Sequence, residues 1–286
     1  MAGEIKPLLE RLDLERLDRD LFRGESPQDG RPRVFGGQVA AQALVAAVRT
    51  VEGRRCHSLH AYFLRPGKSE RPIIYEVDRI RDGRSFTTRR VVAIQDGEAI
   101  FNMSASFQID EGGLDHHAPM PDADAPLSVP SNAERTKERA ATGDPFYRFL
   151  DRLERPIEIR DLDPNDPRSP VIKAGPHQVW FRASEGPLPD DPLLHQCVLT
   201  YASDLTLLGA SLRQHGVTWL DSKIQVASLD HAVWFHRPFR ADGWLLYVTE
   251  SPSASGARGM NLGRIFTEAG VLVASVAQEG LMRVHE

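Results

Sequence analysis

The chain is poor in the features that settle a protein's class at a glance. Its 286 residues hold two cysteines, Cys56 and Cys197, too few for a disulfide framework. Both stand among apolar neighbours, so they are expected to be reduced core residues. No apolar run reaches the ~18 residues of a membrane span. The acidic, amphipathic opening MAGEIKPLLERLDLERLD lacks the marks of an export or transit signal. A net charge of −5 offers no basic face for nucleic acid. Gly36-Gly37 has no third glycine at dinucleotide spacing and no following Lys-Ser/Thr, so no nucleotide loop is present. A Gly-x-Ser-x-Gly nucleophile elbow is missing too. His57, His60, His116 and His117 lack acidic or cysteine partners at ligand spacing, so no metal and no cofactor is expected. What is left is an ordinary globular composition, 41% hydrophobic and 26% charged, and a reducing cytoplasm is the default expectation.

Periodicity divides the chain into two similar halves. Residues 6–22 read as a short amphipathic helix, followed by a turn-rich loop at Phe22–Pro32. Phe35–Val51 reads as an Ala- and Val-rich helix whose small residues let a sheet approach. Strands are then expected at Ser58–Leu64, Ile73–Ile80, Ser85–Gln95 and Ala99–Ile109, with Asp96-Gly97 as a hairpin turn. Glu111–Pro192 is rich in Pro, Asp, Gly and Ser and reads as a long connection. It carries a helical piece at Asn132–Leu153 and a strand-like piece at Gln178–Ala183. The first pattern then returns. Leu199–Leu212 reads as a buried helix, with Leu205, Leu208 and Leu212 on one stripe. Strands follow at Gln225–His236, Trp244–Glu250, Arg258–Thr267 and Val271–Met282, the last two joined by a turn at Glu268–Gly270.

The halves also match in letters. HAYFLRP at His60–Pro66 returns as HAVWFHRP at His231–Pro238, one residue longer. Tyr75 then corresponds to Tyr247, and Gln108 to Gln278. This is an internal duplication of a helix-plus-sheet unit. Two small units of this kind are best stabilised by joining their sheets edge to edge, which also hides the inner edges.

Differences between the copies point to chemistry. Asp204 stands in the first turns of the second helix, with no neighbouring Lys or Arg. It either caps the helix start or faces a pocket and handles a water molecule. The first helix offers only Gln38 and Gln42. Any acidic group of a site should therefore come from the C-terminal half. Ser228, Asp230 and His231 look like a hydrolase triad, but strand alternation sends Ser228 and Asp230 to one face and His231 to the other. Gln278, at the end of VLVASVAQ, needs partners for its amide or contact with solvent.

The segments VFGGQVAAQAL, YFLRPG, IRDGRSFTTRRV, YASDLTLL, SLDHAVWFHRP, SASGARG and VASVAQEGLMR resemble the type II acyl-CoA thioesterases, which carry two hotdog domains in one chain. The resemblance runs from about Phe22 to Arg283 and is weakest over Glu111–Val171. It implies an α+β tandem (double) hotdog, two long helices each wrapped by an antiparallel sheet, the sheets joined edge to edge. The units would be an N-terminal hotdog at 1–115, a connecting segment at 116–185 and a C-terminal hotdog at 186–286 that carries the catalytic residues. The implied reaction is hydrolysis of fatty acyl-CoA to free fatty acid and CoA. The family's Asp, Thr or Ser, and Gln carry over onto Asp204, Ser228 and Gln278, which together would hold and polarise a water. Ser228 keeps the hydroxyl where some members have Thr. An oxyanion donor is also required, and a backbone N–H at a helix start is the candidate.

An acyl-CoA substrate brings phosphate charges, for which Arg65, Lys68, Arg237 and Arg258 are the candidate contacts. The leucines of the second helix are expected to line an acyl tunnel. A homodimer or homotetramer is expected, with no nucleic-acid partner and no membrane insertion. Two alternatives stand beside this reading. One is a hotdog hydratase or dehydratase using Asp190 and His195, although the Asn of that motif is missing. The other is a non-catalytic acyl-CoA-binding protein.

Overall fold

The computed structural model describes residues 8–27, 31, 33–153, 155–184 and 186–285. The elements are, in chain order, α1 (Leu8–Leu12), β1 (Glu15–Asp18), β2 (Leu21–Gly24), α2 (Gly36–Val48), β3 (Arg55–Phe63), β4 (Ile73–Asp82), β5 (Phe86–Gln95) and β6 (Glu98–Gln108). Then follow α3 (Asn132–Ala141), α4 (Pro145–Asp151), β7 (Ile157–Asp161), β8 (His177–Ala183), α5 (Pro192–Ser203), α6 (Gly209–Arg213), β9 (Ile224–Ser228), β10 (Asp230–Phe235), β11 (Leu245–Ser255), β12 (Arg258–Thr267) and β13 (Leu272–Val284).

Thirteen strands among the described residues form one large antiparallel sheet, ordered β1-β2-β4-β5-β6-β3-β10-β13-β12-β11-β8-β7, with β9 on β13. The pairing of β3 with β10 joins the two halves. The long helices α2 and α5 pack against each other, with α2 also against β2 to β6 and α5 against β3. Along α2 the run from Gly37 to Ala47 is buried throughout, because alanines and glycines leave room for close neighbours. Gln42 is fully buried in that helix, and every polar atom of its amide is used. Its Nε2 donates to the carbonyls of Arg11 (2.8 Å) and Glu25 (3.0 Å), and its Oε1 accepts from the Tyr75 hydroxyl (2.6 Å). The glutamines of the first helix are thus structural ties. Asp96 and Gly97 take φ of 50° and 79°, the left-handed pair that a tight hairpin requires. Cys56 and Cys197 are buried and unpaired.

Four expectations need correction. The helix expected over 6–22 is only Leu8–Leu12 in the described part, and the chain then forms the edge strand β1 and its neighbour β2. Residues 6 and 7 lie outside the described residues. The helical spacing in this stretch was overridden by pairing with β4 at the end of the sheet. The buried helix begins at Pro192, not Leu199, with Asp191 as its N-cap accepting from the Leu193 N–H. Asp204 is therefore the C-cap of α5, and turns carry the chain to α6. The strand β7 was not foreseen; it completes the sheet edge beside β8. The single strand expected at Gln225–His236 is interrupted at Leu229.

That interruption is a bulge. Along β13, Ala277 faces Ala232 and Gly280 faces Ser228, so three steps on one side match four on the other. The extra residue reverses the alternation and brings Ser228 and His231 to the same face.

The duplication also changes register. His60 faces solvent while His231 is fully buried, so the two histidines are not equivalent. A shift of one residue restores the facing. Tyr62 then matches Trp234, Phe63 matches Phe235, Arg65 matches Arg237, and Tyr75 matches Tyr247. The counterpart of His231 becomes Leu59, whose cross-strand partner is Ala105. Continuing the β10–β13 register by one step sets His231 beside Gln278. Ala105, and not Gln108, is the counterpart of Gln278.

Candidate active site

The end of α5, the start of α2 and the bulge between β9 and β10 converge on one polar cluster. Gln278 Nε2 donates to Asp204 Oδ1 at 2.6 Å, and Ser228 Oγ lies 3.5 Å from the same oxygen. The backbone N–H of Gly37, in the first turn of α2, also donates to the Asp204 carboxylate. The N-cap residue Phe35 makes no side-chain cap, so this carboxylate takes that place at the positive end of the helix. Glycine is needed for the approach. A Cβ on Gly36 would come within 2.9 Å of Asp204 Oδ2, and one on Gly37 within 2.6 Å of the Tyr201 carbonyl. The Gly-Gly pair that opens the first helix therefore serves the acid of the second half.

Burial pushes the Asp204 carboxyl up to about 6, against hydrogen bonds from Gln278, Gly37 and Ser228 that lower it. The acid is thus largely an anion at neutral pH, with its protonation midpoint not far below. Gln278 is fully buried, and its Nε2 also contacts His231 Nδ1 at 3.1 Å. His231 Nε2 meets Ser203 Oγ at 2.8 Å. No nucleophile relay forms, because the imidazole is committed to Ser203 and Gln278 and not to Ser228.

Asp204 and Ser228 lie at the wall of a cavity of about 500 Å³. Its apolar wall includes Val34, Phe35 and the three leucines expected on one stripe, Leu205, Leu208 and Leu212. The helix breaks between them, yet the turns from Asp204 to Leu208 still present that stripe to the cavity. Thr206 contributes a buried hydroxyl with no partner among the described residues. A second, polar side is formed by the connecting segment, where Asp161 and Asp163 stand near His177 and Arg213. These are held as pairs: His177 Nε2 lies 2.8 Å from Asp161, and Arg213 pairs with Asp163.

The structure brings Asp204, Ser228 and Gln278 together but not the four expected basic residues. Arg65, Lys68, Arg237 and Arg258 lie outside this cavity lining. Arg65 pairs with Glu98 (3.6 Å), Lys68 with Asp96 (3.0 Å), Arg258 with Glu279 (2.9 Å), and Arg237 with Asp115. Nor do Asp190 and His195 form the hydratase pair. Asp190 is held by Arg240 at 3.0 Å, and His195 Nδ1 accepts the Ala241 N–H at 3.1 Å. The Gly37 N–H was not legible in sequence, although the Gly-Gly opening of an uncapped helix was its signal.

A large antiparallel sheet packed on two adjoining helices is a fold of hotdog type. The architecture resembles that of an Alicyclobacillus acidocaldarius protein described as having a hot dog fold (TM-score 0.76, 21% identity, 98% of each chain covered). Two family models match, "Acyl-CoA thioesterase" over residues 150–281 and "Acyl-CoA thioesterase N-terminal domain" over residues 25–108. The chain is 40% identical to acyl-CoA thioesterase 2 of Haemophilus influenzae over 287 residues, covering 100% of both. It is 46% identical to the crystal structure of an acyl-CoA thioesterase II, TesB2, from Mycobacterium marinum, with a TM-score of 0.78 and coverage of 98% and 99%. The chain belongs to the acyl-CoA thioesterase family.

Proposed function

We propose that this enzyme hydrolyses fatty acyl-CoA to free fatty acid and CoA, using a water held by Asp204, Ser228 and Gln278. The observation that carries the reading is the 2.6 Å and 3.5 Å convergence of Gln278 and Ser228 on Asp204 Oδ1 beside an apolar cavity. Ser228 Oγ and Asp204 Oδ1 stand close enough for one water on the cavity side to bind both. Asp204 removes a proton as the water oxygen attacks the thioester carbonyl. The Ser228 hydroxyl holds the water directly and the Gln278 amide fixes the Asp204 carboxylate that aims it, which lowers the entropic part of the barrier. The negative oxygen that forms is stabilised by the backbone N–H of Gly36, at the first position of α2 on the cavity wall. Collapse of the intermediate breaks the C–S bond. CoA leaves as thiolate and takes the proton from Asp204, which returns the carboxylate to its starting state. The acyl chain lies along Leu205, Leu208 and Leu212.

We further assign the fold as a tandem hotdog. The units are residues 1–115 and 186–286, joined by the segment 116–185. The pairing of β8 with β11 favours counting β7 and β8 with the second unit. For the CoA phosphates the exposed Arg65, Lys68 and Arg258 and the half-buried Arg237 remain the assignment, each exchanging its present acid partner for phosphate. A cytoplasmic homodimer or homotetramer completes the reading. Among the described residues, no helix is long and apolar enough to cross a membrane. The test is release of free thiol from acyl-CoAs of increasing length by the wild-type protein and by Asp204→Asn. The wild type is expected to turn over and the variant to lose on the order of 10²-fold in kcat. A variant with near-normal activity would remove Asp204 from the mechanism. Tight binding without thiol release would make the protein an acyl-CoA carrier, and hydration of crotonyl-CoA would make it a hydratase.

A further inference from the structure

We propose that His231 is a positioning residue of this site: it holds the Gln278 amide in the one orientation that presents an N–H to Asp204. The inference rests on the reading of Asp204, Ser228 and Gln278 as the water-holding group.

The directions of the hydrogen bonds follow from the end of the chain that cannot be reversed. Ser203 Oγ lies 3.0 Å from the Thr200 carbonyl, which only accepts, so the serine hydroxyl is spent as donor there. It must then accept from His231 Nε2, 2.8 Å away. The imidazole is neutral, because burial pushes its pKa down to about 4. A neutral ring protonated at Nε2 has a bare Nδ1, which can only accept. Gln278 must therefore turn its NH2 towards His231 (3.1 Å), and the second hydrogen of that NH2 falls on Asp204 Oδ1 (2.6 Å). Both amide hydrogens are used, and Gln278 Oε1 is left buried without a partner among the described residues. A flipped amide would set this oxygen against a carboxylate and a bare ring nitrogen, two acceptors that repel it. The orphaned oxygen is the cost of the orientation.

Comparison of the two halves supports a functional role. The counterparts of His231 and Gln278 in the first half are Leu59 and Ala105, both buried and apolar. The scaffold therefore accommodates an apolar pair here. A buried polar pair costs desolvation that the apolar pair avoids. Only the half that contains Asp204 carries the polar pair. Around the imidazole, β3 contributes Ala61, β13 contributes Gln278, and α5 contributes Ser203 with Asp204 at its end. From β11, Tyr247 donates its hydroxyl to the Ser203 carbonyl at 3.0 Å. Asp204 and Tyr247 are the titratable groups among these, and burial raises both.

The test compares wild type, His231→Leu, His231→Asn and Asp204→Asn by thiol release from palmitoyl-CoA across pH, with thermal unfolding alongside. His231→Leu installs the residue found at the equivalent position of the first half, so it is expected to fold. Its kcat should fall by roughly 10- to 100-fold with KM changed less than about twofold, the scale of a displaced catalytic geometry. The acid limb of its kcat/KM profile should move to higher pH, because Asp204 loses a donor that stabilised its charge. His231→Asn, whose carbonyl oxygen can stand where Nδ1 stands, should regain most of the lost rate. A His231→Leu enzyme with wild-type kcat and an unmoved acid limb would overturn the proposal, as would an Asn variant no better than Leu. If His231→Leu does not fold, nitrogen-15 shifts of the wild-type ring decide: a bare Nδ1 at pH 7 is expected, and a protonated Nδ1 overturns the proposal. An inactive wild type, or an Asp204→Asn variant that is fully active, would instead sink the reading of the site itself.

Discussion

The Gly37 N–H in the first half donates to the Asp204 carboxylate in the second, so neither half holds a complete site. Each α2 glycine should then fail in its own way when given a methyl group. In Gly36→Ala the new Cβ meets the Phe63 ring edge at 2.8 Å and Asp204 Oδ2 at 2.9 Å, both of which are side chains that can shift. The fold should survive and the carboxylate should move, lowering kcat by about 10-fold or more. In Gly37→Ala the Cβ meets the Tyr201 backbone oxygen at 2.6 Å, which shifts only with the helix. That variant should lose stability as well as activity. Thermal unfolding and thiol release on both variants check the contrast.

Asp204 should act against folding at neutral pH. Below about pH 4 its carboxyl is protonated in both the folded and the unfolded chain and has no effect. Between about 4 and 6 the unfolded chain releases a proton that the folded chain keeps, so stability falls as pH rises. Above about pH 6 the full cost stands. With a value of about 6 against an ordinary 3.8, it amounts to about 3 kcal/mol at most. Asp204→Asn should therefore melt higher than wild type at pH 8, with the difference vanishing near pH 4. Equal melting temperatures at pH 8 would show that the carboxylate is not strained by burial.

Much of this was legible before any coordinates. Alternating apolar residues marked β3 to β6 and β10 to β13, because each strand has one face on the helices and one outward. Asp-Gly marked its hairpin. Asp204, Ser228 and Gln278 were singled out through the motifs around them, since their meeting depends on contacts 24 and 74 residues apart. Phase was not legible. One bulged residue at Leu229 and Asp230 reversed the facing of Ser228, and one inserted residue made His60 look like the counterpart of His231. Both errors follow from the two-residue period of a strand, in which a single step exchanges inside for outside. The end of α5 was misjudged for another reason: Leu205, Leu208 and Leu212 keep helical spacing through a stretch of turns.

Gln278 and Ser228 should differ in how they change the pH profile. Gln278→Glu sets a second carboxylate about where an amide donor now lies 2.6 Å from Asp204. Two such groups share one proton, so the pair should stay singly protonated above neutrality. The acid limb of kcat/KM should move from about 6 to above 7. Ser228→Ala removes a contact of 3.5 Å, at the limit of a hydrogen bond. It should lower kcat by about 10-fold through the lost hold on the water, with little movement of the acid limb. Matching shifts in the two variants would contradict these separate roles.

The cavity assignment is tested by changing its length and leaving its chemistry alone. Leu208 lies on the wall, four residues beyond Asp204, and its side chain packs so closely on Gly280 that a Cβ there would overlap it at 2.0 Å. A tryptophan at 208 cannot settle against the sheet on that side and must extend into the cavity. Long acyl chains should then lose their seat, while chains short enough to stop before position 208 still reach Asp204. Leu208→Trp should raise KM for palmitoyl-CoA by about 10-fold or more, since several buried methylenes are each worth ~0.8 kcal/mol. The kcat for a four-carbon acyl-CoA should stay within about twofold of wild type, because the catalytic geometry is untouched. Equal losses for both substrates would show that the acyl chain takes another path.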